Sequence, residues 1–262
     1  MPQELTFALQ TAEKAASVLL RSFQRTDTGV RNTGKGVKTK NDKIADKIII
    51  SAIRKAFPSH SILTEESGRI QKDKSALWII DPLDGTRNHQ NANPFFAVSI
   101  SLWKYGVPEV SIIAAPVLGE LYVAHKNSAF VKNTKTGKKT KARVSSVSKI
   151  KKSYILACGG GLKNPKKAAD IVYQFQSRAH DARGLGSAAI ELAWVGTGRA
   201  DAYITPKISI WDIAAGVHFV KNAGGALYDF KNNLLEFQQT GSKNEINLIA
   251  TNGKITAPKI IF

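Results

Sequence analysis

Apolar residues recur at Leu5, Leu9, Ala12, Ala16, Leu19, Leu20 and Phe23, the three-to-four spacing of one helix face, and predict an amphipathic helix over residues 4–24. The segment TGVRNTGKGVKTKND that follows is rich in Gly, Thr and Lys and predicts a mobile loop. Ile44, Ile48, Ala52 and Ala56 then restore the helical spacing; Asn41 or Asp42 can cap this second helix, and Pro58 ends it just beyond Phe57. From there the pattern shortens. Apolar runs at Ser61–Thr64, Leu77–Asp81, Phe95–Trp103, Glu109–Ala115 and Glu120–His125 predict strands, several of them adjacent and suited to an antiparallel meander.

The second half repeats the mixture without repeating the sequence. Ser153–Ala157 predicts a strand, Asn164-Pro165 a cap and first helical residue, and the helix runs to about Arg178. Ser187 can cap a helix through Val195, Asp201–Ile204 predicts a strand, and a last helix starts near Asp212 and closes at Gly224. Alternating helices and strands predict a layered α/β (α+β) fold. No linker is long enough to separate independent domains, so one domain is expected over residues 1–262, with subdomains at approximately 1–150 and 151–262.

At 262 residues the chain can bury a large core, and its apolar fraction of 43% is ordinary for a globular protein. No apolar run approaches the roughly 18 residues of a membrane span. The start, MPQELTFALQTAEK, lacks the basic and apolar regions of a signal peptide, and the single cysteine, Cys158, cannot form an internal disulfide. A cytoplasmic protein is expected, with no membrane partner. The charge changes the picture: 38 Lys and Arg against 20 Asp and Glu give a net +18. Nucleic-acid binding and steering of small anions both suit such a surface. The densest run, VKNTKTGKKTKAR (Val131–Arg143), carries six positive charges and no acid, but Asn, Thr and Gly interleave it rather than aromatics. It reads as a hairpin loop without stacking platforms, which argues against nucleic acid as the main partner.

In so basic a chain, three acidic clusters stand out at the ends of apolar segments. WIIDPLDGTRN ends a strand in Asp81 and Asp84, LTEESG sets Glu65 and Glu66 after another, and IWDIAAG puts Asp212 where a helix begins. Each has a plain explanation: turn chemistry at Asp-Pro-x-Asp-Gly, solvated glutamates, and an N-cap. Each also suits a hard cation, because two carboxylates across a tight turn repel one another until a divalent ion neutralises them. The histidines (His60, His89, His125, His180, His218) are dispersed without ligand spacing and read as surface or core residues. Cys158 has no evident paired histidine and reads as buried and inert.

TEES, WIIDPLDGT followed by NPFFAVSISL, and WDIAAG, taken in this order, resemble the inositol monophosphatase superfamily of magnesium-dependent, lithium-sensitive sugar phosphatases, which includes enzymes like fructose-1,6-bisphosphatase. The resemblance spans nearly the whole chain and implies an alternating αβαβα sandwich. It implies a first Mg²⁺ (or Mn²⁺) on Glu65, Asp81 and the Leu83 carbonyl, and a second on Asp81, Asp84 and Asp212. A third, weaker ion would share Glu65 and water. It further implies that Thr86 and Asp42 orient and help deprotonate an attacking water, with Glu65 also counted in the catalytic set. Substrate contacts would come from Asp84, Gly85, Thr86, Gly186, Ser187, Ala188 and the Thr205 position. A small phosphorylated substrate and a homodimer are the implied partners.

Three positions depart from that pattern. Asn41 stands where the family usually has Thr before Asp42, and the NTGKGVKTK loop is more basic than usual. The largest departure is Thr205: inositol-specific members carry Glu seven residues before the metal-binding Asp, whereas here Thr205, Pro206 and Lys207 precede Asp212. Losing a carboxylate that bonds sugar hydroxyls, with a cation nearby, favours a substrate with a second anionic group. The expectation is a Mg²⁺-dependent phosphomonoesterase acting on fructose-1,6-bisphosphate or inositol-1-phosphate. 3′-Phosphoadenosine 5′-phosphate, NADP and histidinol phosphate are further candidates. The rival from another class is an RNA- or polymerase-binding protein on the same fold.

Overall fold

Two helices open the chain, α1 (Gln3–Phe23) and α2 (Lys40–Ala56), and pack against one another. The computed structural model describes residues 2–23, 40–160, 164–236, 245–256 and 258–260, so most of the basic loop predicted after α1 lies outside the described residues. Asn41 and Asp42 sit inside the first turn of α2, which already includes Lys40.

Eight strands form the larger sheet: β1 (His60–Thr64), β2 (Gly68–Ile70), β3 (Asp73–Asp84), β4 (Ala97–Lys104), β5 (Val107–Ala115), β6 (Glu120–His125), β7 (Ser128–Asn133) and β8 (Lys139–Lys141). Their order is β2-β1-β3-β4-β5-β6-β7-β8, and only β1 and β3 run parallel. A short helix, α3 (Thr86–Gln90), follows β3. The smaller sheet has five strands in the order β10-β9-β11-β13-β12, from β9 (Tyr154–Ala157), β10 (Asp181–Arg183), β11 (Ala202–Ser209), β12 (Ala226–Tyr228) and β13 (Glu245–Thr251). Helices α4 (Pro165–Gln176), α5 (Ala188–Gly196) and α6 (Ile210–Asn222), with a 3₁₀ turn at Ile150–Lys152, complete the described elements.

Burial explains the layering. In β3, Trp78 and Ile80 enter the core under α1 and α2, while Ile79 points the other way, into the core that α5 and α6 share with the smaller sheet. Because helices cover both faces, every residue of β4 from Ala97 to Trp103 is buried, including Ser99 and Ser101, which alternate with Val98, Ile100 and Leu102. α4 closes the far side against β9 and β10 around Ile171 and Phe175. The result is the αβαβα stack. No described helix is long and apolar enough to cross a membrane.

The predicted elements mostly stand where the pattern puts them, with differences at their ends. β3 starts at Asp73 and β11 runs on to Ser209. α6 is capped by Ser209, which makes Asp212 its third residue rather than its N-cap. The basic run becomes strand, turn and strand at the sheet edge, and α3, β2, β10, β12 and β13 lie outside the elements that the pattern predicts.

Candidate metal centre

Strand pairing brings the acids together. β1 lies parallel to β3 with Thr64 opposite Ile80, and the Glu65 N–H donates to the Ile80 carbonyl at 3.3 Å, so Glu65 stands beside Asp81 at neighbouring strand ends. Between β3 and β4 the register shifts between Asp81 and Asp84. Such a bulge re-aims side chains, which lets two carboxylates three residues apart face one region. Asp212 comes from the first turn of α6, where its Oδ2 accepts the Ser209 N–H at 3.2 Å. One carboxylate oxygen each from Glu65, Asp81 and Asp212 lies within 4.8 Å of the others.

Their electrostatics fit a cation. Burial raises the Asp81 carboxyl well above the usual carboxylate range, and repulsion from Glu65, Asp84 and Asp212 raises it further. Asp212 is raised by burial first, then by Asp84 and Glu65. Asp84 is pushed up to about 6 by burial, against hydrogen bonds from Ser187, Ala189 and Ala188 that favour its charge. These groups resist ionising together unless positive charge joins them, and an all-oxygen donor set suits a hard divalent ion. The acidic group can therefore hold a metal.

Close in sequence to Asp84, Thr86 forms a hydrogen-bonded pair with Asp42. The Thr86 hydroxyl lies 2.9 Å from Asp42 Oδ1 and 3.0 Å from the Leu83 carbonyl, two acceptors for one proton. Gly85 makes the turn possible: at φ +85° a Cβ would lie 2.7 Å from the Phe95 carbonyl oxygen. Only glycine meets both demands.

Asp84 stands outside the triplet and grips α5. Its Oδ2 accepts from the Ser187 hydroxyl and from the Ala189 N–H at 3.0 Å, and its Oδ1 accepts the Ala188 N–H at 3.2 Å. A carboxylate has about four lone-pair sites, so about one remains for another ligand. The sequence reading expects Ser187 and Ala188 to touch substrate; here they hold Asp84. Gly186 joins them at φ +78°, where a Cβ would lie 3.2 Å from Asn88 Nδ2. Thr205 is fully buried on β11, its hydroxyl accepting from the Cys158 thiol at 3.2 Å. Lys207 is exposed at φ +47°, where β11 shifts register against β13.

Three supporting residues escape the sequence reading. Asp46, buried in α2, accepts from Thr64 Oγ1 at 2.6 Å and Ser67 Oγ at 2.5 Å, fixing the turn that carries Glu65. Asn88 donates to the Phe95 and Leu185 carbonyls at 2.5 and 2.8 Å, tying the Gly85 turn to the approach of α5. Glu191 lies buried in α5 and accepts the Leu185 N–H at 2.7 Å; burial pushes its carboxyl up to about 8. A lone charge inside AAIELAWV is the signal that could have found Glu191. The histidines at 60, 89 and 218 bond within the fold to Trp78, Leu19 and Ser111, as core residues do. Cys158 is half-buried, and burial raises its thiol.

Residues 1–261 match the model of the inositol monophosphatase family. The chain belongs to the inositol monophosphatase family. Among curated relatives, the Nus factor SuhB of Haemophilus influenzae is 37% identical over 86% of this chain and 85% of its own. That of Escherichia coli K12 is 34% identical over 96% and 92%. Among solved structures, the extragenic suppressor protein suhB of Bartonella henselae superposes with a TM-score of 0.84 at 29% identity, over 97% of this chain and 95% of its own. The Thermotoga maritima IMPase gives 0.81 at 32% identity, over 97% and 93%. The family and these neighbours have the mixed α/β architecture seen here, two mixed sheets with helices between and outside them.

Proposed function

We propose that this chain is a divalent-metal-dependent phosphomonoesterase acting on a small phosphorylated sugar or polyol. The carrying observation is the triplet of buried Asp81 with half-buried Glu65 and Asp212, beside Asp84 and the Thr86–Asp42 pair. Mg²⁺, with Mn²⁺ as a substitute, is the ion we assign, held by Glu65, Asp81, Asp84, Asp212 and the Leu83 carbonyl. When bound, it supplies positive charge to phosphate oxygens and makes water more acidic. The chain's own residues do the rest. Thr86 Oγ accepts a proton from the attacking water as it donates its own to Asp42 Oδ1, so the water reaches phosphorus oriented and richer in charge. The Gly85 and Thr86 amides, at the start of α3, face the phosphate, and Gly186–Ala188 sit beside the substrate while fixing Asp84.

For substrate, we favour fructose-1,6-bisphosphate over inositol-1-phosphate. With Thr205 bonded to Cys158, no carboxylate accepts sugar hydroxyls at that position, and Lys207 offers a cation to a second anionic group. 3′-Phosphoadenosine 5′-phosphate, NADP and histidinol phosphate belong in the same screen. Lithium inhibition, a homodimer and a cytoplasmic location accompany this reading. Phosphate release across those substrates, with Mg²⁺ and with EDTA, tests it. A second reading is favoured by the +18 charge and by relatives that bear the name Nus factor: a binding role toward RNA or polymerase on the same fold. An intact carboxylate set with no phosphate release from any of these substrates would move the weight to that role.

A further inference from the structure

The last strands of the larger sheet build a groove that the phosphatase reading does not use. β8 is the outermost strand, five positions from β3 in the sheet order, which at about 4.8 Å per strand places it about 24 Å away from the carboxylates. The groove, of ≈ 620 Å³, is lined by Lys138, Lys141, Arg143 and Arg199, and Glu120 is the one acid among the described residues lining it. Arg199 holds that acid with contacts of 2.5 and 2.7 Å, and Tyr122 donates to it as well. No ion pair among the described residues engages Lys138, Lys141 or Arg143.

Lysines on an edge strand have a simpler use, since they discourage edge-to-edge pairing. Two features exceed it. Arg143 lies beyond β8 and Arg199 follows α5, so cations from separate segments converge on one concavity. The hairpin is also set in advance: Asn133 Oδ1 accepts from the Lys135 and Thr136 N–H groups at 3.0 and 2.9 Å, so a ligand need not order the turn. The groove beside α2 provides a contrast. It has a similar ≈ 640 Å³ and three cations, Lys43, Lys47 and Arg54, but two acids, Asp46 and Glu66, share its lining.

We propose that the β7–β8 groove binds the phosphodiester backbone of single-stranded nucleic acid, an inference that rests on the second reading above and stands or falls independently of phosphate release. A polymer with one negative charge per nucleotide engages all the cations at once and gains from counterion release. The Thr140 hydroxyl can donate to phosphate, while the hydroxyls of Thr136 and Thr197, which donate to Asn133 and to the Ala193 carbonyl, can accept from sugar. No aromatic among the described residues lines the groove to stack bases, so binding is indifferent to sequence and strongly dependent on salt. The basic run's lack of aromatics argues against base recognition and against nucleic acid as the main partner, and the contact proposed here is with the backbone alone.

The test is fluorescence anisotropy of a labelled oligouridylate with the full chain between about 50 and 200 mM salt. Three neutralised phosphates give a log–log slope of about −2, hence a loss of roughly 20-fold in affinity across that range. The Lys138→Gln/Lys141→Gln/Arg143→Gln variant should lose at least about tenfold at low salt and flatten the slope, with Tm unchanged. Lys138→Arg/Lys141→Arg, which keeps the charge, should bind like the parent, and Lys43→Gln/Lys47→Gln/Arg54→Gln should stay within about twofold. Absence of binding would overturn the proposal. So would equal losses in both triple-glutamine variants, which would mean diffuse charge, or displacement by polyglutamate as effectively as by unlabelled oligonucleotide, which would mean an acidic protein partner.

Discussion

Asp81 cannot be both charged and comfortable in the metal-free chain. It is 1% exposed, with carboxylate oxygens of Glu65 and Asp212 within 4.8 Å, and repulsion from Glu65, Asp84 and Asp212 opposes its charge. Removing one charge should therefore stabilise the metal-free fold: Asp81→Asn should raise its Tm while abolishing the Tm increase that Mg²⁺ gives the parent. Calorimetry with and without Mg²⁺ reads both effects. Glu191 gives a pH prediction away from the metal. Its folded pKa, about 8, lies above its ordinary 4.5, so between those values the folded chain holds a proton that the unfolded chain has released. Stability then falls as pH rises through this window, the reverse of an ion-paired carboxylate. Glu191→Gln, which keeps an acceptor for the Leu185 N–H, should gain stability over the parent as pH climbs from 5 to 8, on the order of a few kcal/mol at the upper end. Urea unfolding of both chains across that range checks it, and a constant difference would contradict it. At Thr86 the loss should fall on turnover: Thr86→Ala should lower kcat by about 10²-fold while Mg²⁺ affinity, read by calorimetry, stays within a few fold.

At the scale of elements, the site depends on how β3 ends. Gly85→Ala should destabilise the chain by about 2 kcal/mol or more, because the added methyl meets the Phe95 carbonyl in a left-handed backbone, and phosphate release should fall with it. Denaturant unfolding alongside the activity assay separates the two losses. This is also the scale at which sequence reading succeeds and fails. The helix spacing of Leu5 to Phe23 and the run Glu120–His125 are local signals, and both elements stand as the pattern predicts. β2, β8, β10 and β12 have three residues each, too few to show a period, and exist because a neighbouring strand offers them bonds. The register shift between Asp81 and Asp84 is a relation to β4, invisible along β3 itself. The acidic motifs of the site were legible from order and spacing. The grip of Asp84 on α5, and the supports at Asp46, Asn88 and Glu191, join segments up to about a hundred residues apart and appear only once the layers are stacked.

For the whole molecule, charge and architecture assign different work to different regions. The acids gather where the two sheets' helices meet the end of β3, while cations crowd the far edge of the larger sheet. Small anionic substrates should feel the overall +18: kcat/KM for fructose-1,6-bisphosphate should exceed that for inositol-1-phosphate, and the preference should shrink as salt shortens the screening length toward about 8 Å and below. The most direct measurement of the central claim is phosphate release from these two substrates by the parent and Asp81→Asn, in Mg²⁺ and in EDTA. Release by the parent in Mg²⁺, lost in EDTA and reduced by about 10²-fold or more in Asp81→Asn, is the result predicted. Release that survives EDTA, or an Asp81→Asn chain that turns over like the parent, would contradict it.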